Sequence, residues 1–356
     1  MPPRSLRTIA IAAGVIAGFL FTGTILSLVD WDDSNKNENG SVKYIEAGSG
    51  KGKNDINASE TTSPSLSPVK TASDTPTFPS KTKGPKRKPN ILLILADDLG
   101  TGDIPAYFNT SMVHMPNIDR LVAKGVTFKD VHSTPLCAPS RYMLLSGLYA
   151  HRGRNQGGTW NLKENANQFR GEQKSIAQTL RDSEYNTFMT GKWHLGAKAP
   201  PNGLYNYSHT LTHPMHDWSK ALIDGPQDIG FESSFITIGG IQAPPYSFFR
   251  DGFLTTKSSD VVYWENNSEH DMRWGRSIIG KEGGEGSNDW DSTAYNMILV
   301  NETIDFVDKH LESKPDDSFF AYVALGGVHI PHSPPGKFYP SSNDACWSRC
   351  KTNNIF

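Results

Sequence analysis

Apolar residues along this chain fall into short continuous runs, separated by stretches in which they recur at helical spacing. The run from Ile91 to Ala96 is wholly apolar, which is typical of a strand buried on both faces. Comparable runs predict strands at 126–131, 186–190 and 319–325. Helical spacing predicts helices at 117–125, 140–149, 175–184 and 291–311, with Asn117 placed to cap the first.

The alternation of these elements predicts the fold class. Strands that alternate with helices are typical of an α/β fold with a mainly parallel or mixed sheet sandwiched by helices. Polar motifs come directly after the predicted strands, and they begin at Asp97, Cys137, Lys192 and His329. Because ligands bind at the carboxyl ends of strands in open α/β sheets, we expect these motifs to converge on one site.

The N-terminal segment lies outside this pattern. Residues 9–29 form an uncharged run of 21 residues, which as a helix would be about 32 Å long and would span a bilayer. Arg4 and Arg7 precede the run and acidic residues follow it. This asymmetry predicts a type II signal-anchor, with residues 1–8 in the cytoplasm and the rest facing the lumen or the exterior. A cleaved signal peptide, which would leave the protein secreted, is the alternative.

Residues 30–88 predict a disordered linker, because they are rich in small, polar and proline residues and poor in apolar ones. The folded part is therefore predicted at 89–356. The net charge of −2 gives no general attraction to nucleic acid. The chain has three cysteines, of which Cys346 and Cys350 could pair and leave Cys137 alone. Glycosylation sequons, which suit a secretory-pathway glycoprotein, begin at Asn39, Asn57, Asn109, Asn206, Asn266 and Asn301.

The segment Leu136–Arg141 carries the first candidate chemistry. Pro139 suits the first turn of a helix, so Cys137 would lie at a helix N-terminus, which favours a bound dianion. Arg141 follows one helical turn later, and its guanidinium could hold oxygens at residue 137. A structural or disulfide-bonded cysteine is the plainer alternative.

Adjacent carboxylates close the first buried strand. Asp97 and Asp98 repel each other and are poorly solvated there, so a positive group should offset them. Their oxygen ligands would suit a hard cation, Ca²⁺ or Mg²⁺. A polar turn at the strand end is the alternative interpretation.

Together these motifs resemble the type I sulfatases. The resemblance runs from about residue 89 to 335 and implies the alkaline-phosphatase-like sulfatase fold. It rests on Pro89-Asn90-Ile91 through Asp97-Asp98, Cys137-Ala138-Pro139-Ser140-Arg141, Gly191-Lys192-Trp193-His194-Leu195-Gly196, Ala324 to Pro331, Ile229-Gly230-Phe231 and Ala243-Pro244-Pro245-Tyr246.

By this resemblance, the protein is a sulfuric ester hydrolase whose nucleophile is a formylglycine hydrate made from Cys137. A formylglycine-generating enzyme is then a partner during maturation in the secretory pathway. The resemblance also implies that Asp97, Asp98 and residue 137 bind a divalent cation, usually Ca²⁺ with Mg²⁺ possible. The cation and Arg141 would orient the hydrate and lower its pKa.

The resemblance assigns the remaining roles by spacing. Lys192 and His329 would hold the sulfate oxygens, and one of them would protonate the leaving alcohol. His194 would take a proton as the sulfated enzyme collapses. His332 is the second candidate for the role of His329. The other histidines have no informative spacing and are interpreted as structural: His114, His132, His151, His209, His213, His216, His270 and His310.

The family pattern is not followed after His329. The family's later Asp-Asn metal ligands and further lysine are not found there, so we expect the chain to hold an incomplete N-terminal part of the catalytic domain. Three functions therefore stay open: an active sulfatase, a degenerate sulfatase-like protein without activity, and a phosphonate or phosphodiester hydrolase. Aryl sulfates and sulfated polysaccharides are both candidate substrates, with selectivity expected in the loops at 160–169 and 205–290.

Overall fold

A computed structural model describes residues 9–16, 88–156, 158–162, 165–201, 216–264, 283–331 and 333. The chain divides into two compact units, one of residues 46–88 and one of the remainder. Of the first unit only Lys88 is described, so the predicted linker and any pairing of Cys346 with Cys350 lie outside the described residues. Within the described ranges, no helix has both the length and the apolar character needed to cross a membrane.

The N-terminal apolar run contains a strand where a helix was expected. Strand β1 spans Ile9–Ile16 and pairs in parallel with β2, from Ile9 opposite Asn90 to Ile16 opposite Asp97. The prediction of a helix from Ile9 is therefore wrong over these eight residues. An apolar run rich in isoleucine and valine satisfies a buried strand as well as a helix, and periodicity cannot separate the two. Residues 17–29 of the predicted anchor lie outside the described residues.

A seven-stranded sheet has the order β1-β2-β9-β3-β4-β5-β6. The first five of these strands in spatial order run parallel, and β5 and β6 are antiparallel at the edge, which confirms the predicted mainly parallel sheet. A separate antiparallel pair is formed by β7 and β8. The strands after β1 are β2 (Asn90–Asp97), β3 (Tyr185–Lys192), β4 (Ser233–Thr237), β5 (Phe249–Arg250), β6 (Phe253–Leu254), β7 (Val261–Trp264), β8 (Gly284–Ser287) and β9 (Ser318–Ala324).

The described helices match the predicted ones with shifted ends. They are α1 (Pro116–Lys124), α2 (Cys137–Ser146), α3 (Ile176–Asp182) and α4 (Tyr295–Ser313). Ser175 caps α3 by accepting a hydrogen bond from the Gln178 backbone N–H. Asn117 is not the cap of α1 as predicted, because the helix already begins at Pro116 and the Asn117 side chain accepts from Arg120.

The strand predicted at 126–131 is wrong, because these residues form an irregular connection. Phe128 is 38% exposed and its two following neighbours are also exposed, so this segment lacks the alternating buried face of a sheet strand. Cys137 is therefore reached through a loop rather than directly from a strand.

Alternate side chains of the strands pack on opposite faces of the sheet, as the two-residue period of a strand requires. On one face, Met189 of β3 and Phe320 of β9 pack in a core that includes Tyr142 of α2 and Ala177 of α3. The intervening side chains of the same strands point to the other face, where they form a second core that includes Leu299 of α4. The sheet is thus covered by helices on both sides, as predicted.

The carboxyl ends of β3 and β9 approach each other unusually closely. A Cβ atom on Gly191, whose φ is +102°, would lie 1.9 Å from the carbonyl oxygen of Ala324. Only glycine fits this position, both in conformation and in space. This close approach brings the residues after the two strands to the same edge of the sheet.

Candidate active site

Asp97, the last residue of β2, lies at the centre of a buried charge cluster. Its Oδ2 accepts a hydrogen bond from Lys192 Nζ at 2.7 Å, and its Oδ1 lies 3.2 Å from a terminal nitrogen of Arg141. All three side chains are at most 1% exposed. Burial alone would raise the pKa of Asp97, but the charges of Lys192 and Arg141 hold it well below its usual value. Lys192 and Arg141 are therefore the positive groups that were expected beside the carboxylates at the end of this strand.

Lys192, the last residue of β3, connects this cluster to Cys137. Its Nζ donates to Asp97, lies 3.5 Å from Cys137 Sγ, and donates to Gln242 Oε1 at 3.1 Å. The ammonium group thus has acceptors on three sides within a buried site. Arg141 is anchored at the same place, because it donates to the Lys192 carbonyl oxygen at 3.0 Å.

Cys137 is the first residue of α2 and is 7% exposed. Leu136 precedes it as the N-cap and provides no side-chain cap to the helix N–H groups. The Sγ atom of Cys137 lies 3.2 Å from His194 Nδ1. Position 137 therefore faces a lysine ammonium, a histidine ring and the positive end of a helix, a combination that suits an anion.

His194 is fully buried and is held in place through its backbone, which donates from N to the Ile238 carbonyl oxygen at 2.8 Å. Its φ is 53°, in the left-handed region. Burial, together with the nearby charges of Lys192 and Arg141, lowers the pKa of the ring well below its usual value. A neutral imidazole beside Cys137 can act as a proton acceptor.

Asp98 and His329 form a second, more exposed pair at the edge of the cluster. His329 Nε2 lies 3.4 Å from Asp98 Oδ2, with the side chains 13% and 33% exposed. Asp98 has a φ of 59°, so the extended conformation of β2 ends at this residue. Burial and the neighbouring Asp97 raise the pKa of Asp98 against the opposing charge of His329. Burial and the charge of Lys192 lower the pKa of His329.

The structure brings five predicted site residues into one set of direct contacts: Asp97, Cys137, Arg141, Lys192 and His194. His329 joins through Asp98, while His332 lies outside the described residues.

Two further residues that support the site were not found from the sequence. Gln242 accepts from Lys192 because Gly240, with a φ of +75°, lets its loop lie against the lysine stem, where a Cβ would come within 2.8 Å. Asn296 of α4 accepts from the backbone N–H groups of Gly326 and Gly327, which positions the segment leading to His329. Neither contact follows from residue spacing. The glycine pair Gly239-Gly240 before Gln242 was the available signal of a close backbone approach.

Among the described residues, no group of three or more His, Cys, Asp or Glu side chains is arranged to hold a metal ion. Asp97 Oδ1 is nevertheless buried without an aligned hydrogen-bond donor in the described part of the chain. Asp98 adds a second carboxylate whose ionisation is disfavoured. These groups fit a divalent cation in charge and donor type, although two carboxylates fall short of the roughly six to eight oxygens that Ca²⁺ takes.

Comparison with known proteins identifies the class. The sequence pattern of the Sulfatase family matches residues 89–353. An N-acetylgalactosamine-6-O-sulfatase of Bacteroides thetaiotaomicron is 29% identical over 280 residues, covering 71% of this chain and 50% of that protein. Human steryl-sulfatase is 34% identical over 134 residues, covering 36% of this chain and 22% of that protein.

The fold agrees with this class. A structure solved in work on the metabolism of multiple glycosaminoglycans by Bacteroides thetaiotaomicron superposes with a TM-score of 0.55 at 26% identity, covering 71% of this chain and 54% of that one. The chain belongs to the sulfatase family and has its alkaline-phosphatase-like fold. It spans about half the length of the bacterial relative, with 50% of that protein covered.

Proposed function

We propose that this protein hydrolyses sulfate esters through a formylglycine hydrate formed from Cys137. The observation that carries the proposal is the position of Cys137 Sγ, 3.2 Å from His194 Nδ1 and 3.5 Å from Lys192 Nζ at the start of α2. The hydrate supplies two oxygens on one carbon, so one can attack sulfur while the other can later expel sulfate. The family relationship supports the same chemistry.

The chain's own residues have distinct tasks in this proposal. Lys192 holds a sulfate oxygen as negative charge grows, because its ammonium already lies beside position 137. His329 holds a second oxygen, and either it or Lys192 gives a proton to the departing alcohol oxygen. His194 accepts a proton from residue 137 when sulfate is expelled, and its lowered pKa keeps the ring neutral until then. Arg141 orients residue 137 from one helical turn away.

A divalent cation, Ca²⁺ or Mg²⁺, would be held by Asp97, Asp98 and the oxygen of the modified residue 137. When bound, it would supply Lewis-acid stabilisation of that oxygen. Asp97 would remain paired with Lys192 and Arg141, so its carboxylate links the cation to both positive side chains.

Sulfate release from para-nitrophenyl sulfate and from sulfated sugars tests the proposal. The full chain is co-expressed with a formylglycine-generating enzyme, and mass spectrometry of the peptide containing residue 137 verifies the modification. Cys137→Ser serves as the matched control, because it keeps a small polar side chain but lacks the thiol on which the co-expressed formylglycine-generating enzyme acts, and mass spectrometry confirms that it stays unmodified. Fully modified protein that releases sulfate from none of these esters would refute the proposal. Turnover of an aryl phosphonate but not of an aryl sulfate would favour the phosphonate hydrolase instead.

We also propose that the protein matures in the secretory pathway, where a formylglycine-generating enzyme is its partner. Asn109 and Asn301 support this location, because both glycosylation sequons lie at exposed positions. A mobility shift on treatment with an N-glycosidase should appear in protein from eukaryotic cells. Its loss in the double variant Asn109→Gln with Asn301→Gln would place sugar at these sites.

A further inference from the structure

A cleft with a volume of about 330 Å³ is lined by residues outside the charge cluster. This volume is within the range of small-molecule sites, about 300–1,000 Å³. Three separate segments form its walls, contributing Asn161 and Leu162, His216 and Trp218, and Pro244 and Pro245. Tyr263 of β7 and the residues Gly283 to Glu285 complete it.

A buried histidine–glutamate pair gives the cleft its polar groups. His216 Nδ1 lies 2.7 Å from Glu285 Oε2, and the Glu285 side chain is 3% exposed against 26% for His216. This contact fixes the ring and leaves Nε2 as the nitrogen that a ligand can reach. Trp218 packs on the His216 ring at 4.9 Å between centroids. The buried indole N–H of Trp218 has no hydrogen-bond partner among the described residues.

The wall that carries Glu285 is rigid. Tyr246 and Glu285 are joined by a backbone hydrogen bond of 2.9 Å, and the Ser287 backbone N–H donates to Tyr246 at 2.9 Å. A Cβ on Gly284 would come within 2.4 Å of Pro244, and one on Gly286 within 2.6 Å of Tyr246 Cβ. The strand β8 thus lies against the Pro244–Tyr246 segment with no room for a side chain between them.

The chain connects both walls directly to the charge cluster. Gln242, which accepts from Lys192, precedes the wall residue Pro244 by two positions. On the other wall, Asn161 follows Trp160, whose backbone pairs with Leu195 next to His194. Residues one or two positions away from the cleft walls therefore contact Lys192 or pair next to His194, which links the cleft to the charge cluster.

We propose that this cleft binds the sugar ring that carries or adjoins the sulfate, with His216 and Glu285 contacting its hydroxyl groups. This proposal rests on the proposed sulfatase function. The His216 ring, the Glu285 carboxylate and the Trp218 N–H, which has no partner among the described residues, match hydroxyl and N-acetyl groups, which both donate and accept.

Binding of N-acetylgalactosamine 6-sulfate tests the proposal without turnover. Calorimetry uses the full chain carrying Cys137→Ser as the background. His216→Ala and Glu285→Gln should weaken binding roughly 10- to 100-fold, since each removes a hydrogen bond to a polar ligand group. Trp218→Phe removes the N–H donor and keeps a smaller aromatic ring, and it should also weaken binding. His132→Ala is the matched control, because His132 is exposed and pairs only with Asp130 in the described residues.

Kinetics on the matured enzyme separate recognition from folding. The same variants should raise KM for the sugar sulfate by a similar factor while leaving para-nitrophenyl sulfate within about twofold of the parent, because the aryl ester does not offer ring hydroxyls. Equal losses on both esters, or unchanged sugar affinity in the binding experiment, would overturn the proposal. If no ester is hydrolysed but the sugar binds in a His216-dependent way, the sulfatase proposal fails and the binding cleft stands.

Discussion

Replacing Asp97 by Asn should destabilise the domain more than removing either of its positive partners. At an effective dielectric constant of about 20, the contacts of 2.7 Å to Lys192 and 3.2 Å to Arg141 correspond to roughly 6 and 5 kcal/mol of attraction. Much of this offsets the desolvation of three buried charges. The variant Asp97→Asn leaves two buried cations without an anion between them, and we expect a loss of about 3–5 kcal/mol.

The partner variant Lys192→Met has a smaller effect, because Asp97 keeps its contact with Arg141. We expect a loss of about 1–3 kcal/mol in the parent background. In the Asp97→Asn background the same substitution removes an unpaired buried cation. It should therefore recover about 1–3 kcal/mol, which reverses its sign.

Urea denaturation followed by tryptophan fluorescence, with a chelator present, measures all four proteins of this cycle. The exposed variant Asp182→Asn, which loses only a surface contact with Lys174, is the control and should leave the midpoint nearly unchanged. If Lys192→Met destabilises both backgrounds equally, Lys192 and Asp97 are not coupled and the charge argument is wrong.

The same cycle has a defined pH dependence. The pKa of Asp97 is lowered in the folded state, so its contribution is fully present above the unfolded value of about 3.9 and is lost as pH falls below it. The difference in stability between the parent and Asp97→Asn should therefore begin to shrink below about pH 5 and keep shrinking as the pH falls through the lowered pKa of Asp97. A difference that grows on acidification would contradict the direction of the shift.

Three other predictions concern the strands and the cation. Gly191→Ala should prevent stable folding, because its Cβ would lie 1.9 Å from the Ala324 carbonyl oxygen. Gly147→Ala is the control, because Gly147 also has a positive φ of +69° but has no atom within 4 Å of the added Cβ. It should lower the free energy of unfolding in urea by only about 1 kcal/mol. Tyr295→Phe leaves the buried Thr237 hydroxyl without its 2.7 Å partner, so we expect a loss of about 1–3 kcal/mol that Thr237→Val in the same chain partly restores. EDTA should abolish most sulfate release and Ca²⁺ should restore it, and full activity after exhaustive chelation would count against a bound cation.

The sheet and the edge that carries the site could be predicted, because the apolar strands end where the polar site residues begin. Strands β2 and β9 are continuous apolar runs, and a strand buried on both faces has to end where polar residues begin. Asp97 and Lys192 follow from this rule, since each is the last residue of its strand. Apolarity predicted the wrong element in two places. Residues 9–16 form a strand where a helix was predicted, and residues 126–131 form no strand where one was predicted. Local sequence does not show whether a neighbouring strand is available to pair.

The finer arrangement of the site depends on backbone geometry that the sequence hardly reveals. The contacts of the two carboxylates differ, because Asp97 pairs with Lys192 while Asp98 lies beside His329. Nothing in an Asp-Asp pair signals the left-handed φ of Asp98. The Gln242 contact likewise depends on the positive φ of Gly240.

The left-handed backbone conformations of Asp98 and His194 also place folding stability in conflict with function. A side chain at such a φ is disfavoured by roughly 1–2 kcal/mol relative to glycine, with asparagine, aspartate and histidine tolerated better than most, and these two residues have values of 59° and 53°. Glycine at either position would therefore relieve strain while deleting a group placed for chemistry. A library selected for thermal stability alone should enrich glycine at positions 98 and 194, whereas selection for turnover should retain aspartate and histidine.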